Sequence, residues 1–174
     1  MALSKFLKRL TSGRVQEESA IDSSAGAGDA GKIVGLDSSG KISQTMMPTG
    51  VGPDSEDIVA SEALNAGDFV NIFDSGSGVR KMRKADATAA GKEADGFVKA
   101  AVANAATGTC FFEGTNDQLT GLTVGARYYL DKTTPGGVIS DVSAYVAGNI
   151  SMYIGKALST TKVSFEPGEP ITLA

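Results

Sequence analysis

A chain of 174 residues is long enough for one sizeable domain with an appendage, but not for two full domains. The absence of histidine removes the commonest general base near neutral pH and the commonest metal ligand, which excludes most hydrolytic triads and zinc sites. A formal net charge of −4 disfavours a general nucleic-acid binder, and 22 glycines with only 6% aromatic residues predict tight turns and short strands.

The first 14 residues, MALSKFLKRLTSGR, combine basic and apolar side chains. They hold four basic groups and no acids, whereas the rest of the chain carries a formal charge of −8. The leucine and phenylalanine side chains follow the i, i+3, i+4, i+7 spacing of one helix face. A helix this short is ordered only when it docks, so we predict an amphipathic arm that anchors the protein to a protein partner. The candidate anchoring residues are Leu3, Lys5, Phe6, Leu7, Lys8, Arg9 and Leu10. Nucleic acid, a membrane surface or a disordered terminus are the alternatives for such an arm.

Two segments connect this arm to the rest of the chain. Residues 15–31 are rich in Ser, Ala, Gly and acids, and they are predicted to form a flexible linker. Residues 32–52 contain two short apolar runs joined by the turn signal Asp37-Ser38-Ser39-Gly40, which predicts a β-hairpin. A piece this small has little core of its own, so its apolar side chains need cover from identical neighbours or from the chain's own β-domain. These side chains belong to Ile33, Val34, Leu36, Ile42, Met46 and Met47.

Residues 53–174 are predicted to form a small antiparallel β-barrel or sandwich domain. Short apolar runs alternate here with glycine turns, which is typical of all-β domains. The predicted strands are Ile58–Leu64, Asp68–Phe73, Val79–Lys84, Gly96–Val102, Thr109–Glu113, Ala126–Leu130, Ile150–Ser159 and Thr161–Phe165. Residues 85–94 and 144–148 are predicted to be short helical or irregular insertions.

No convincing catalytic constellation, cofactor motif or metal site is visible in this domain. Cys110 lies in an apolar run and has no imidazole to activate it, so we predict a buried strand residue and not a nucleophile. The basic run at residues 79–84 is predicted to be a hairpin strand with Val79 and Met82 inward and its charges solvated. It lacks the interleaved aromatic residues on which single-stranded nucleic acids stack.

The Tyr128-Tyr129 pair carries more information. Strand alternation places one ring in the core and the other on the opposite face, half exposed or in a subunit interface. The surrounding GLTVGARYYLD and TPGGV, followed by YIGKALSTTKVSF, resemble a pattern in small β-domains of tailed-bacteriophage virion proteins. The segment GKIVGLDSSGKISQTMMP is similar to hairpin segments that join anchors to β-domains in phage fibres and head decoration proteins. Together these pieces cover most of residues 32–166.

This resemblance implies a homotrimer in which the uncovered apolar residues of the hairpin segment form the trimer interface. The length of the chain and its basic, apolar arm favour a capsid decoration, or cement, protein on the outer surface of a phage head, made in the host cytoplasm. The implied partner is the major capsid protein, with no nucleic acid and no membrane. The alternative is a short head or tail fibre, or an adaptor, that binds a host glycan or another virion protein. A small enzyme is disfavoured.

Overall fold

A computed structural model describes residues 5–47, 54–76 and 78–174 of the chain. The chain divides into two compact units, Met1–Gly52 and Pro53–Ala174. Both units contain antiparallel sheets, and the described helical structure consists of two short 3₁₀ turns. The prediction of a mainly β, antiparallel protein is therefore confirmed.

The arm forms a β-hairpin instead of the predicted helix. Strand β1 (Lys5–Arg9) pairs with β2 (Val15–Ser19), and the Leu10 amide donates to the Arg14 carbonyl at 2.8 Å to close the turn. Gly13 adopts a φ of 83° in this turn, a conformation that glycine reaches without strain. The helical spacing is misleading because the backbone of β1 pairs with residues 15–19, which belong to the predicted flexible linker.

Residues 20–47 contain no strand ladder, so the structure also differs from the predicted β-hairpin at 32–52. The turn itself is present, because the Asp37 carboxylate accepts hydrogen bonds from the amides of Ser39 and Lys41. Its flanks do not pair, since Val34 forms a bridge with Ile21 upstream. Two 3₁₀ helices, Ala27–Asp29 and Gln44–Met46, complete this region. The predicted residues 48–52 lie outside the described ranges.

The second unit begins with a strongly curled five-stranded sheet. Its strands are β3 (Ser55–Val59), β4 (Phe69–Asp74), β5 (Arg80–Lys84), β6 (Gly96–Val98) and β7 (Thr107–Phe111), in the order β3-β7-β6-β4-β5. The segment after β3 reaches the opposite edge strand, where the Ser61 amide donates to the Met82 carbonyl at 2.8 Å. The sheet thereby wraps around its own small core. That core consists of Ile58, Ala60, Leu64, Val70, Met82, Val98, Val102 and Cys110.

The strands of a second five-stranded sheet are β8 (Gly114–Asn116), β9 (Arg127–Leu130), β10 (Val138–Ile139), β12 (Tyr153–Ala157) and β13 (Val163–Phe165). Their order in the sheet is β10-β9-β12-β13-β8. Outside this sheet, β11 (Ile150–Ser151) pairs with β14 (Ile171–Thr172). Every strand predicted from the sequence overlaps an observed one. The short strands β8, β10 and β14 were not predicted, and the predicted strand at 150–159 is divided at Met152. Residues 85–94 and 144–148 are irregular.

Phenylalanine rings join the two sheets. Phe69 and Phe97 point from β4 and β6 towards the second sheet. The ring centroid of Phe165, in β13, lies 5.6 Å from that of Phe69 and 5.7 Å from that of Phe97. Phe111 stacks on Phe97 at 5.6 Å. Both faces of β4 and β6 are thus buried, and the arrangement is sandwich-like.

We expect Phe165→Ala to lower the free energy of unfolding of the second unit by about 3–5 kcal/mol, because it leaves a cavity between the sheets. All four tyrosines of the chain lie in this unit, so tyrosine fluorescence during denaturant unfolding reports on it alone. The control Leu158→Ala shortens an exposed side chain and should change the free energy by less than about 0.5 kcal/mol. Equal midpoints for the two variants would contradict this role of Phe165.

Candidate interaction surface

The hairpin of the first unit presents two chemically different faces. Directly opposite residues of an antiparallel pair share a face, so Lys5, Leu7, Arg9, Val15, Glu17 and Ser19 form one face, which we call the Leu7 face. Phe6, Lys8, Gln16 and Glu18 form the other, the Phe6 face. Leu7 is 76% exposed and Val15 is 62% exposed, whereas Phe6 is 41% exposed.

Two of the four predicted basic groups are already paired within the hairpin. The Lys5 ammonium lies 2.8 Å from the Glu17 carboxylate, and the Lys8 ammonium lies 2.9 Å from the Glu18 carboxylate. The Glu18 side chain is only 19% exposed, so the Phe6 face is partly covered. Of the other predicted anchoring residues, Arg9 is exposed, Leu10 is half-buried and Leu3 lies outside the described residues.

Most of the predicted trimer-interface residues are also exposed within their unit. Ile33, Val34, Leu36, Ile42 and Met47 are exposed, and Met46 is half-buried. Among the residues described in the first unit, only Ala20 is buried. The structure brings Ile33 and Val34 beside Ile21, but it does not gather the six residues into one buried cluster. The first unit therefore carries an apolar surface without a core of comparable size.

The position of Cys110 argues against a nucleophilic role for this residue. Cys110 is fully buried in β7, as predicted, and burial together with the nearby charges of Asp95 and Glu56 raises the pKa of its thiol to about 12.

Within residues 5–47, 54–76 and 78–174, no group of three or more acidic or cysteine side chains could hold a metal ion. No helix in these ranges is long and apolar enough to cross a membrane.

The tyrosine pair follows the predicted alternation. Tyr128 is buried, and its hydroxyl oxygen accepts a hydrogen bond from the Thr123 amide at 2.9 Å. Tyr129 lies half-buried on the opposite face, where its ring meets that of Tyr153 edge to face at 5.8 Å. The Arg127 guanidinium lies 5.9 Å from the Tyr153 ring centroid. These three residues form a small aromatic and basic patch on the outer face of the second sheet.

The basic strand β5 is used inside the domain. Met82 is buried as predicted, but Val79 is 53% exposed because the strand begins after it, at Arg80. The Arg80 side chain is 49% exposed, in line with the predicted solvation of these charges, but two of the four cations also have acidic partners. Arg80 forms an ion pair with Glu56 of β3, and Lys84 lies 3.3 Å from Asp68. The sequence shows these cations as one run, but their acidic partners lie elsewhere in the chain.

One groove of the second unit, about 410 Å³ in volume, is lined mainly by small apolar side chains. Lys99 lies at this groove, with its ammonium 5.2 Å from the Phe111 ring centroid and 3.9 Å from Asp117. A single half-buried cation that already has an acidic neighbour provides no set of converging polar groups. The exposed apolar surface of the first unit is therefore the better candidate for function.

Comparison with known proteins found no matching family model, no matching curated protein and no matching solved structure.

We expect Cys110 in the native protein to react with a thiol-alkylating reagent only as fast as the second unit opens, because its thiol is buried and protonated. Mass spectrometry at mildly alkaline pH would follow the modification, and denaturant should restore fast labelling. The variant Cys110→Ala/Ser39→Cys, with its thiol in the exposed turn, should react rapidly without denaturant. Fast labelling of native Cys110 would contradict the structural role assigned to it.

Proposed function

We propose that this protein is a homotrimeric decoration protein that binds the outer surface of a phage head and stabilises it. The observation that carries the proposal is the exposure of apolar side chains in the first unit. Many of its large apolar side chains are exposed, and in its described part only Ala20 is buried. Unpartnered apolar surface of this kind is typical of protein–protein interaction sites. The resemblance of the sequence to phage virion proteins points to the particle as the partner.

Self-association through residues 33–47 is the first part of the proposal. Each apolar side chain that a neighbouring copy covers contributes about 1.5–3 kcal/mol, so three copies of this short segment would stabilise one another. Methionine suits such a seam, because its flexible side chain fills irregular gaps. Met47 is exposed and Met46 is half-buried, so a neighbouring copy would cover part of both side chains.

We expect light scattering to give a mass of three chains for the purified protein, with each chain contributing 17.7 kDa. The double variant Val34→Asp/Leu36→Asp should be monomeric, because a charge at either position would be desolvated in the trimer. The control Val124→Asp places the same charge on an exposed valine of the second unit and should remain trimeric. A wild-type mass near that of one chain would contradict the proposal.

Attachment by three hairpins is the second part. Once one hairpin of a trimer has docked, the next two bind intramolecularly, and avidity rises by about 10²–10⁴ without any new type of contact. A ligand that binds only the assembled shell stabilises that arrangement by mass action. The trimer would therefore act as a clamp against the outward pressure of packaged DNA.

We expect bare heads to release DNA at a lower temperature than heads to which the wild-type protein has been added. Leu7→Asp, or deletion of residues 2–12, should abolish this difference, because either change removes the apolar contact of β1. Both variants should remain trimeric, since residues 33–47 are intact. The measurement is DNA release against temperature for each type of head. Coinciding curves for bare heads and for heads fully covered by wild-type protein would contradict the cementing role.

A fibre or adaptor that binds a host glycan or another virion protein is the second candidate. The patch of Arg127, Tyr129 and Tyr153 favours it, because tyrosine and arginine are enriched where proteins make specific contacts. Imaging of labelled protein on virions distinguishes the two functions. Decoration covers the whole shell, whereas a fibre occupies one position.

A further inference from the structure

The turn end of the β1–β2 hairpin carries two arginines that make no ion pair within the described part of the chain. Arg9 ends β1 on the Leu7 face, and Arg14 precedes β2, so they lie on either side of the turn. Lys5 and Lys8 are neutralised by Glu17 and Glu18. The net charge of the hairpin, four cations against two carboxylates over residues 5–19, therefore resides at its tip.

Apolar side chains lie beside these arginines on the same face. Val15 is directly opposite Arg9 in the register, and Leu7 is two residues before Arg9 in β1. At 62% and 76%, they are the most exposed large hydrophobic side chains of the hairpin. The Phe6 face differs, because the Glu18 side chain there is 19% exposed and engaged with Lys8.

We propose that the Leu7 face, through Leu7, Arg9, Val15 and the adjacent Arg14, docks on an acidic and apolar protein surface of the assembled head shell. This inference rests on the proposed function and specifies its chemistry. A guanidinium presents a planar fork of donors that matches a carboxylate, and such pairs are strong when they are removed from water. Leu7 and Val15 would exclude water around the pairs, as apolar neighbours do at binding hot spots.

The apolar side chains of the Leu7 face disfavour nucleic acid as its occupant, and a second copy of this chain is the other occupant that the test addresses. A nucleic-acid phosphate backbone matches the arginines but provides no apolar surface for Leu7 and Val15. The second unit of another copy is acidic, with 15 carboxylates against 10 cations over residues 53–174, and it would bind the hairpin within the trimer. Docking on the shell leaves the trimer intact when the arginines are removed, which separates these cases by experiment.

The test is co-sedimentation of the full-length protein with bare heads, at increasing protein concentration. It compares wild type with Arg9→Gln/Arg14→Gln at low and high ionic strength, because the Debye length falls from about 10 Å at 0.1 M to about 3 Å at 1 M salt. The matched control is Lys32→Gln/Lys41→Gln, which removes the same charge from exposed positions of the same unit outside the hairpin. Light scattering records the mass of each variant.

We expect the arginine variant to bind heads roughly tenfold or more weakly at low salt, and to show a flatter salt dependence than wild type. The lysine control should bind within about twofold of wild type, because its cations lie outside the docking face. Both variants should remain trimeric.

Three results would overturn the inference while the proposed function stands: equal binding of the arginine variant, loss of its trimeric mass, or displacement of wild-type protein from heads by short duplex DNA. If wild-type protein fails to bind heads, the proposed function falls and the inference falls with it.

Discussion

The packing of Phe69, Phe97 and Phe165 is the interaction on which the second unit depends. These rings lie between two sheets whose strands are mostly three to six residues long, and strands this short cannot bury enough surface alone. Because β4 and β6 are covered on both faces, they belong to both cores at once. Val70 and Val98 fill the core of the curled first sheet, while the phenylalanines beside them fill the space between the sheets.

The first unit, in contrast, has almost no buried core in its described part. Its order comes from backbone pairing, a few turns and two ion pairs, of which the exposed Lys5–Glu17 pair contributes only about 0–1 kcal/mol. A two-stranded hairpin is marginally stable in water when nothing packs on it. The apolar side chains that could build a core, such as Leu7, Val34 and Leu36, remain exposed. Burial against other molecules is therefore the natural source of stability for this unit, and this links its fold to the proposed role in assembly.

The distribution of ion pairs separates structural cations from available ones. Arg80 and Lys84 connect β5 to acids of neighbouring segments, so the densest basic run of the chain serves the domain itself. Arg9 and Arg14 are sparser in sequence, and neither forms an ion pair within residues 5–47, 54–76 and 78–174. The number of basic residues in a stretch therefore does not show which cations can bind another molecule. That depends on whether each cation already has an acidic partner within the chain.

The sequence by itself determined the features that depend on a few neighbouring residues. Glycine-punctuated apolar runs identified a mainly β, antiparallel protein, alternation placed Tyr128 inside and Tyr129 outside, and the apolar neighbours of Cys110 predicted its burial. The Asp37 turn was also readable, since an aspartate carboxylate reaches backbone amides two and four residues ahead.

Only the tertiary structure decided which segments pair with one another. The residues whose spacing fits one helix face form strand β1, because residues 15–19 supply its hydrogen-bond partners. Val34 forms its bridge with Ile21 and not with the apolar residue beyond the Asp37 turn. Val79 is exposed because the register of β5 with β4 starts at Arg80. Such choices compare the free energies of alternative pairings between distant residues, and no local window of sequence contains both partners.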